Sequence, residues 1–68
     1  MANQTLLRDV RLQKGLSQEA LAREVGVSRQ SIVNIERGVQ EPRVFLAFAI
    51  AAALGVAIGE IFRKALLS

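Results

Sequence analysis

Cysteine and histidine are both absent from the 68 residues, as are tryptophan and tyrosine. Without thiols there is no disulfide. Without thiol or imidazole the usual ligand sets of a structural zinc site cannot be built. Ser–His and Cys–His nucleophile pairs are excluded for the same reason, and no paired carboxylates are placed for acid–base work. The composition therefore argues against an enzyme and implies no cofactor. Proline occurs once, and alternating strand patterns are missing, which leaves helices as the expected structure. Charge is missing from residues 44–59. That run is shorter than the ~18 residues of a membrane span, and Gly55 interrupts it, so a buried helix is the expectation. No basic-then-apolar leader opens the chain, so a cytoplasmic protein without membrane contact is expected.

A surplus of cations is present. Nine Lys and Arg face six Asp and Glu, a net charge of +3. Most are arginine, whose planar fork fits phosphate and guanine edges. A chain this short buries only ~60% of its unfolded surface, so one domain of modest stability, spanning 1–68, is expected.

Gly15, Gly26, Gly38 and Gly55 each follow a stretch with helical apolar spacing, near residues 4–14, 18–25, 29–37 and 43–54; a fifth stretch covers 58–67. Ser17 and Ser28 sit where a hydroxyl caps the second and third helices, and Pro42 precedes the fourth. The expected core is Leu7 and Val10, then Leu21, Ala22 and Val25, Ile32 and Ile35, Ala47, Ile50, Ala51 and Leu54, and finally Ile58, Ile61 and Phe62. Each set falls at steps of three and four. Leu16 and Val27 plug the connections.

The informative segment is Gln18-Glu-Ala-Leu-Ala-Arg-Glu-Val-Gly-Val-Ser-Arg-Gln-Ser-Ile-Val-Asn-Ile-Glu-Arg37. It predicts two short helices joined by a tight turn at Gly26-Val27-Ser28. With Leu21, Val25, Val27, Ile32 and Ile35 inward, Arg29, Gln30, Val33, Asn34 and Arg37 point outward from the second helix. Such a face can enter a major groove.

This segment resembles the helix-turn-helix of the lambda-repressor-like, Cro-type regulators (the XRE family) of bacteria and phage. The likeness runs on through Arg11, Lys14-Gly-Leu-Ser-Gln18, Ser28-Arg-Gln-Ser-Ile32, Ile35-Glu-Arg-Gly38, Pro42, Ala53-Leu-Gly-Val56 and Glu60-Ile-Phe62. It implies an all-α, five-helix domain with its helix-turn-helix core at residues 18–37. It also implies a transcriptional regulator, a repressor by the simplest route, that binds an inverted-repeat operator in double-stranded DNA as a homodimer. Arg29, Gln30 and Asn34 fall on the family's recognition positions. Arg can fork onto guanine, and Gln or Asn onto adenine. Val33, apolar and outward, fits a thymine methyl or a subunit contact. Ser17, Gln18, Ser28, Ser31 and Arg37 are assigned to phosphates, with Gln18 foremost because family members place a Gln there against the backbone. Lys14 and Arg43 are further backbone candidates. The resemblance also pairs Arg11 with Glu36 as a partly buried structural ion pair. The place of action it implies is the nucleoid of a bacterial or phage-infected cell.

The fourth helix departs from that pattern. Opposite its inner stripe lies a second one, Phe45, Phe48, Ala49 and Ala52, where family members carry charge. Helices that are apolar all round are buried on both sides, and here the second side needs another chain. A homodimer interface of Phe45, Phe48, Ala49 and Ala52 is expected, joined by Leu66 of the fifth helix. Alternatively, the fourth and fifth helices dock a different protein, as in an antitoxin or assembly partner.

Overall fold

The computed structural model describes residues 5–62. Its helices are α1 (Thr5–Gln13), α2 (Gln18–Val25), α3 (Arg29–Glu36) and α4 (Val44–Leu54), followed by one 3-10 turn over Ile58–Glu60. No strand occurs among the described residues.

Short helices need their ends satisfied, because each terminus leaves backbone groups without intrahelical partners. At α2 the Ser17 hydroxyl accepts from the Ala20 N–H at 2.9 Å. At α3 the Ser28 hydroxyl accepts from the Ser31 N–H at 3.1 Å. Between them, Gly26 takes a left-handed conformation with φ of 79°. Both its own N–H and that of Val27 then reach back to the Ala22 carbonyl, at 2.9 and 3.0 Å. This closes α2 within one residue and turns the chain directly into the cap of α3. The helix-turn-helix angle is set at that corner.

Packing completes what the caps begin. Leu21 of α2, Ile32 of α3 and Ile50 of α4 are fully buried, and Leu7 of α1, Ile35, Ala47, Ala51, Leu54 and Ile61 are nearly so. Ala22 is also buried, and its small side chain permits close approach of the neighbouring helix. Val10, Leu16, Val25, Val27, Ile58 and Phe62 lean on this cluster, together with Leu46, Ala53 and Val56. Every residue assigned to the core from spacing lies in it or against it. Fully burying one Leu or Ile is worth ~1.5–3 kcal/mol, a large share of a small domain's stability.

The expected fifth helix is corrected over its first turn. Residues 58–60 form a 3-10 turn and not an α-helical start. Ala57 has no hydroxyl to cap with, and Gly59 costs ~1 kcal/mol relative to Ala in a helix. Glu60 Oε2 accepts from the Ala57 N–H at 3.1 Å, which satisfies the end from the other direction. Burial of Ile61 docks the turn on the core. Residues 63–68, and Leu66 with them, lie outside the described residues. Three other boundaries move inward by one residue, since α1 ends at Gln13, Arg37 is the C-cap of α3 and Arg43 is the N-cap of α4; α2, the start of α3 and the end of α4 fall where the spacing puts them.

At Gly26 a Cβ would meet no atom within 4 Å, so substitution acts through φ alone. Gly26→Ala is expected to destabilise by ~1–2 kcal/mol, the cost of a left-handed L-residue. Urea or thermal unfolding checks it, and unchanged stability would contradict the role of this corner.

Candidate nucleic-acid interface

The outer face of α3 is built from the side opposite Ile32 and Ile35. Arg29 and Gln30 are exposed, while Val33 and Asn34 are half-buried. Gln30 Nε2 donates to Asn34 Oδ1 at 3.0 Å, an i,i+4 pair. The two amides are thus tied together. Gln30 keeps its carbonyl and one N–H, the combination that forks onto adenine. The Asn34 main-chain carbonyl accepts from Val39 and Gln40 at 3.0 and 3.3 Å, so the end of α3 is closed and its face held in place.

The proposed phosphate-binding side chains divide by what their atoms are already doing. Ser17 spends its acceptor on the cap and keeps its hydrogen for donation. Ser28 donates to Ser31 Oγ at 3.2 Å, which leaves the Ser31 hydrogen as the outward donor of the pair. Lys14, Arg37 and Arg43 are exposed, with no hydrogen-bonded side-chain partner among the described residues. Their charges are available to a polyanion. At the start of α2 the N–H groups of the first turn face outward, a natural place for an anion.

Beneath this surface lies a buried ionic node. Arg11 Nε donates to Glu36 Oε2 at 2.5 Å, and Nη2 to Oε1 at 3.1 Å. The two side chains are 7% and 4% exposed. Arg11 Nη1 donates to the Leu16 carbonyl at 2.8 Å, and Glu36 Oε1 accepts from Gln18 Nε2 at 3.1 Å. The node therefore joins α1, the connection into α2, the first residue of α2 and the last of α3. The links from Gln18 to Glu36 and from Arg11 to Leu16 are absent from the sequence pattern. The Gln30–Asn34 and Ser28–Ser31 pairs have a signal there, in i,i+4 and i,i+3 spacing.

On α4, Phe45 is 90% exposed and Phe48 54%. Ala52 is exposed and Ala49 half-buried. Val39 and Val44 are also exposed. Among the described residues no helix is long and apolar enough to cross a membrane.

A capped helix pair with a left-handed corner and a polar outer face on its second helix defines the helix-turn-helix class. The Helix-turn-helix family model HTH_3 matches residues 7–61, and the chain belongs to that family. It is 51% identical over 51 residues to an "Uncharacterized HTH-type transcriptional regulator" of Methanothermobacter thermautotrophicus, covering 75% of this chain and 74% of that one. It is 33% identical over 55 residues to the cryptic phage CTXphi transcriptional repressor RstR of Vibrio cholerae, covering 81% of this chain and 50% of that one. Among solved structures, the hypothetical transcription factor NHTF from Neisseria superposes with a TM-score of 0.81 at 32% identity. The match covers 98% of this chain and 81% of that one.

Removing one partner of a buried ion pair strands the other charge, at a cost of ~3–5 kcal/mol. Arg11→Ala is expected to lose that much in thermal or urea unfolding. Replacing both residues, Arg11→Met with Glu36→Met, is expected to recover a good part of it. A single variant that melts like the wild type would contradict the node.

Proposed function

We propose that this protein is a DNA-binding transcriptional regulator that represses by occupying an inverted-repeat operator as a homodimer. The observation that carries the proposal is the outer face of α3, where Arg29 and Gln30 stand exposed on a helix whose back is locked by Ile32 and Ile35. A rigid helix with forked donors and acceptors at its N-terminal end is suited to a major groove. Membership of the helix-turn-helix family supports DNA binding, and the repressor named among its relatives supports the sign of regulation. Arg29, Gln30 and Asn34 read bases, with Val33 against a thymine methyl. Ser17, Gln18, Ser31 and Arg37 hold phosphates, helped by Ser28, Lys14 and Arg43. The second copy of the chain packs on Phe45, Phe48, Ala49 and Ala52. Two α3 helices then lie one turn of DNA apart, ~10 base pairs centre to centre.

Selection of duplexes from a random-sequence pool tests the whole proposal. An inverted repeat is the expected product, bound with a log–log salt slope of ~−7 to −9 for four or five phosphate contacts per subunit. Alanine at Arg29, Gln30 and Asn34 together is expected to abolish selection while leaving the melting temperature within a few degrees. Retained selection would contradict the assignment of the reading face.

Sedimentation tests the dimer separately. Wild type is expected to sediment as a dimer and Phe45→Glu with Phe48→Glu as a folded monomer with weakened operator binding. A wild-type monomer, free and on DNA, would contradict the α4 interface. A complex with a different protein through these residues would replace it.

A further inference from the structure

We infer that Glu36 is a positioning residue for DNA: its buried carboxylate, held by Arg11, orients the side-chain amide of Gln18 toward a backbone phosphate. The inference rests on the DNA-binding function proposed above and deepens it. An ionised carboxylate only accepts hydrogen bonds. Of the two ends of the Gln18 amide, only the NH2 can therefore meet Glu36 Oε1, as it does at 3.1 Å. The reversed amide would set oxygen against oxygen beside a side chain that water scarcely reaches, since Glu36 is 4% exposed. Charge thus selects one orientation of a half-buried amide. One Nε2 hydrogen is committed to Glu36, and the second remains for an anion outside.

The carboxylate is itself immobile. Arg11 holds both of its oxygens, and the same guanidinium holds the Leu16 carbonyl at 2.8 Å. Leu16 directly precedes the Ser17 cap, so the entry to α2, its first-turn N–H groups and the Gln18 amide are fixed by one cation. Arg11 also neutralises Glu36, which would otherwise stand as a second anion behind the amide and repel the phosphate. Gln18 then bridges two anions, giving one hydrogen to each. The chemistry recognised is a single phosphodiester oxygen, with no dependence on the base.

A structural role for the pair would change the melting temperature and nothing else. Positioning predicts coupling between Gln18 and the pair in DNA affinity. The Gln18→Ala change is made in wild type and in the Arg11→Met, Glu36→Met background, which keeps the net charge. Each protein is titrated with a random-sequence duplex at low salt, and its melting is followed. In wild type, Gln18→Ala is expected to weaken binding by about 10- to 100-fold, the size of one hydrogen bond to a charged group. In the uncharged background the loss is expected to shrink below about twofold, because the amide there has already lost its orientation. Equal losses in both would overturn the inference.

Should the uncharged background not fold, solvent exchange of the Gln18 side-chain amide in the wild-type protein decides. Slow exchange relative to the exposed Gln13 and Gln40 upholds the orientation, and equal exchange overturns it. If wild type binds no duplex at low salt, the DNA-binding function fails, and with it the phosphate as the amide's target.

Discussion

Arg11 and Glu36 are the only charged side chains buried among the described residues, and the relation between α1, α2 and α3 depends on their meeting. Taking two ions out of water costs several kcal/mol each, which a pair repays only when its remaining donors and acceptors are also used. Here they are used. Glu36 accepts three hydrogen bonds, and Arg11 donates to a main-chain carbonyl as well as to the carboxylate. A hydrocarbon pair would fill the same space and would not tie a loop carbonyl and a surface amide to it. The pair thus trades generic burial for directed bonds, and the two that leave the pair both reach the N-terminal end of α2.

That arrangement explains how so short a chain holds a rigid surface. The apolar core is small and lies chiefly between α2, α3 and α4, with Leu21, Ile32 and Ile50 at its centre. Caps at Ser17 and Ser28 and the left-handed Gly26 fix the helix ends. The core sets the distance between the helices, the caps set where each begins, and the ionic node sets their rotation. The polar face of α3 is then presented without relying on flexible loops. The surface of α4 is different in character. There α4 offers Phe45 and Phe48 to the surroundings, an apolar patch of the kind that marks a protein contact.

Much of this was legible in the sequence because helices declare themselves by period. Steps of three and four placed Leu21, Ile32, Ile35, Ile50 and Leu54 inside, and Ser17, Gly26 and Ser28 marked both ends of α2 and the start of α3 to the residue. The α4 stripe was readable as a lack of charge. What escaped was either local competition or long-range geometry. At Ile58–Glu60 the spacing of Ile58, Ile61 and Phe62 suits a helix, and the missing cap at Ala57 together with Gly59 turns it into a 3-10 turn. The bond between Gln18 and Glu36 spans 18 positions, and no periodicity carries it. Position types, the two hydroxyl caps and, through the resemblance, the Arg11–Glu36 pair were visible from the chain; the further partners of that pair, Gln18 and the Leu16 carbonyl, were not.

The most direct test of the account is an NMR titration of the labelled protein with operator-sized duplex at low salt. The backbone amides of Ser17 and Gln18 and those from Ser28 to Asn34 are expected to shift together, with the Phe45 and Phe48 amides unmoved by the DNA itself. Shifts confined to α4, with the start of α2 and the face of α3 silent, would contradict it.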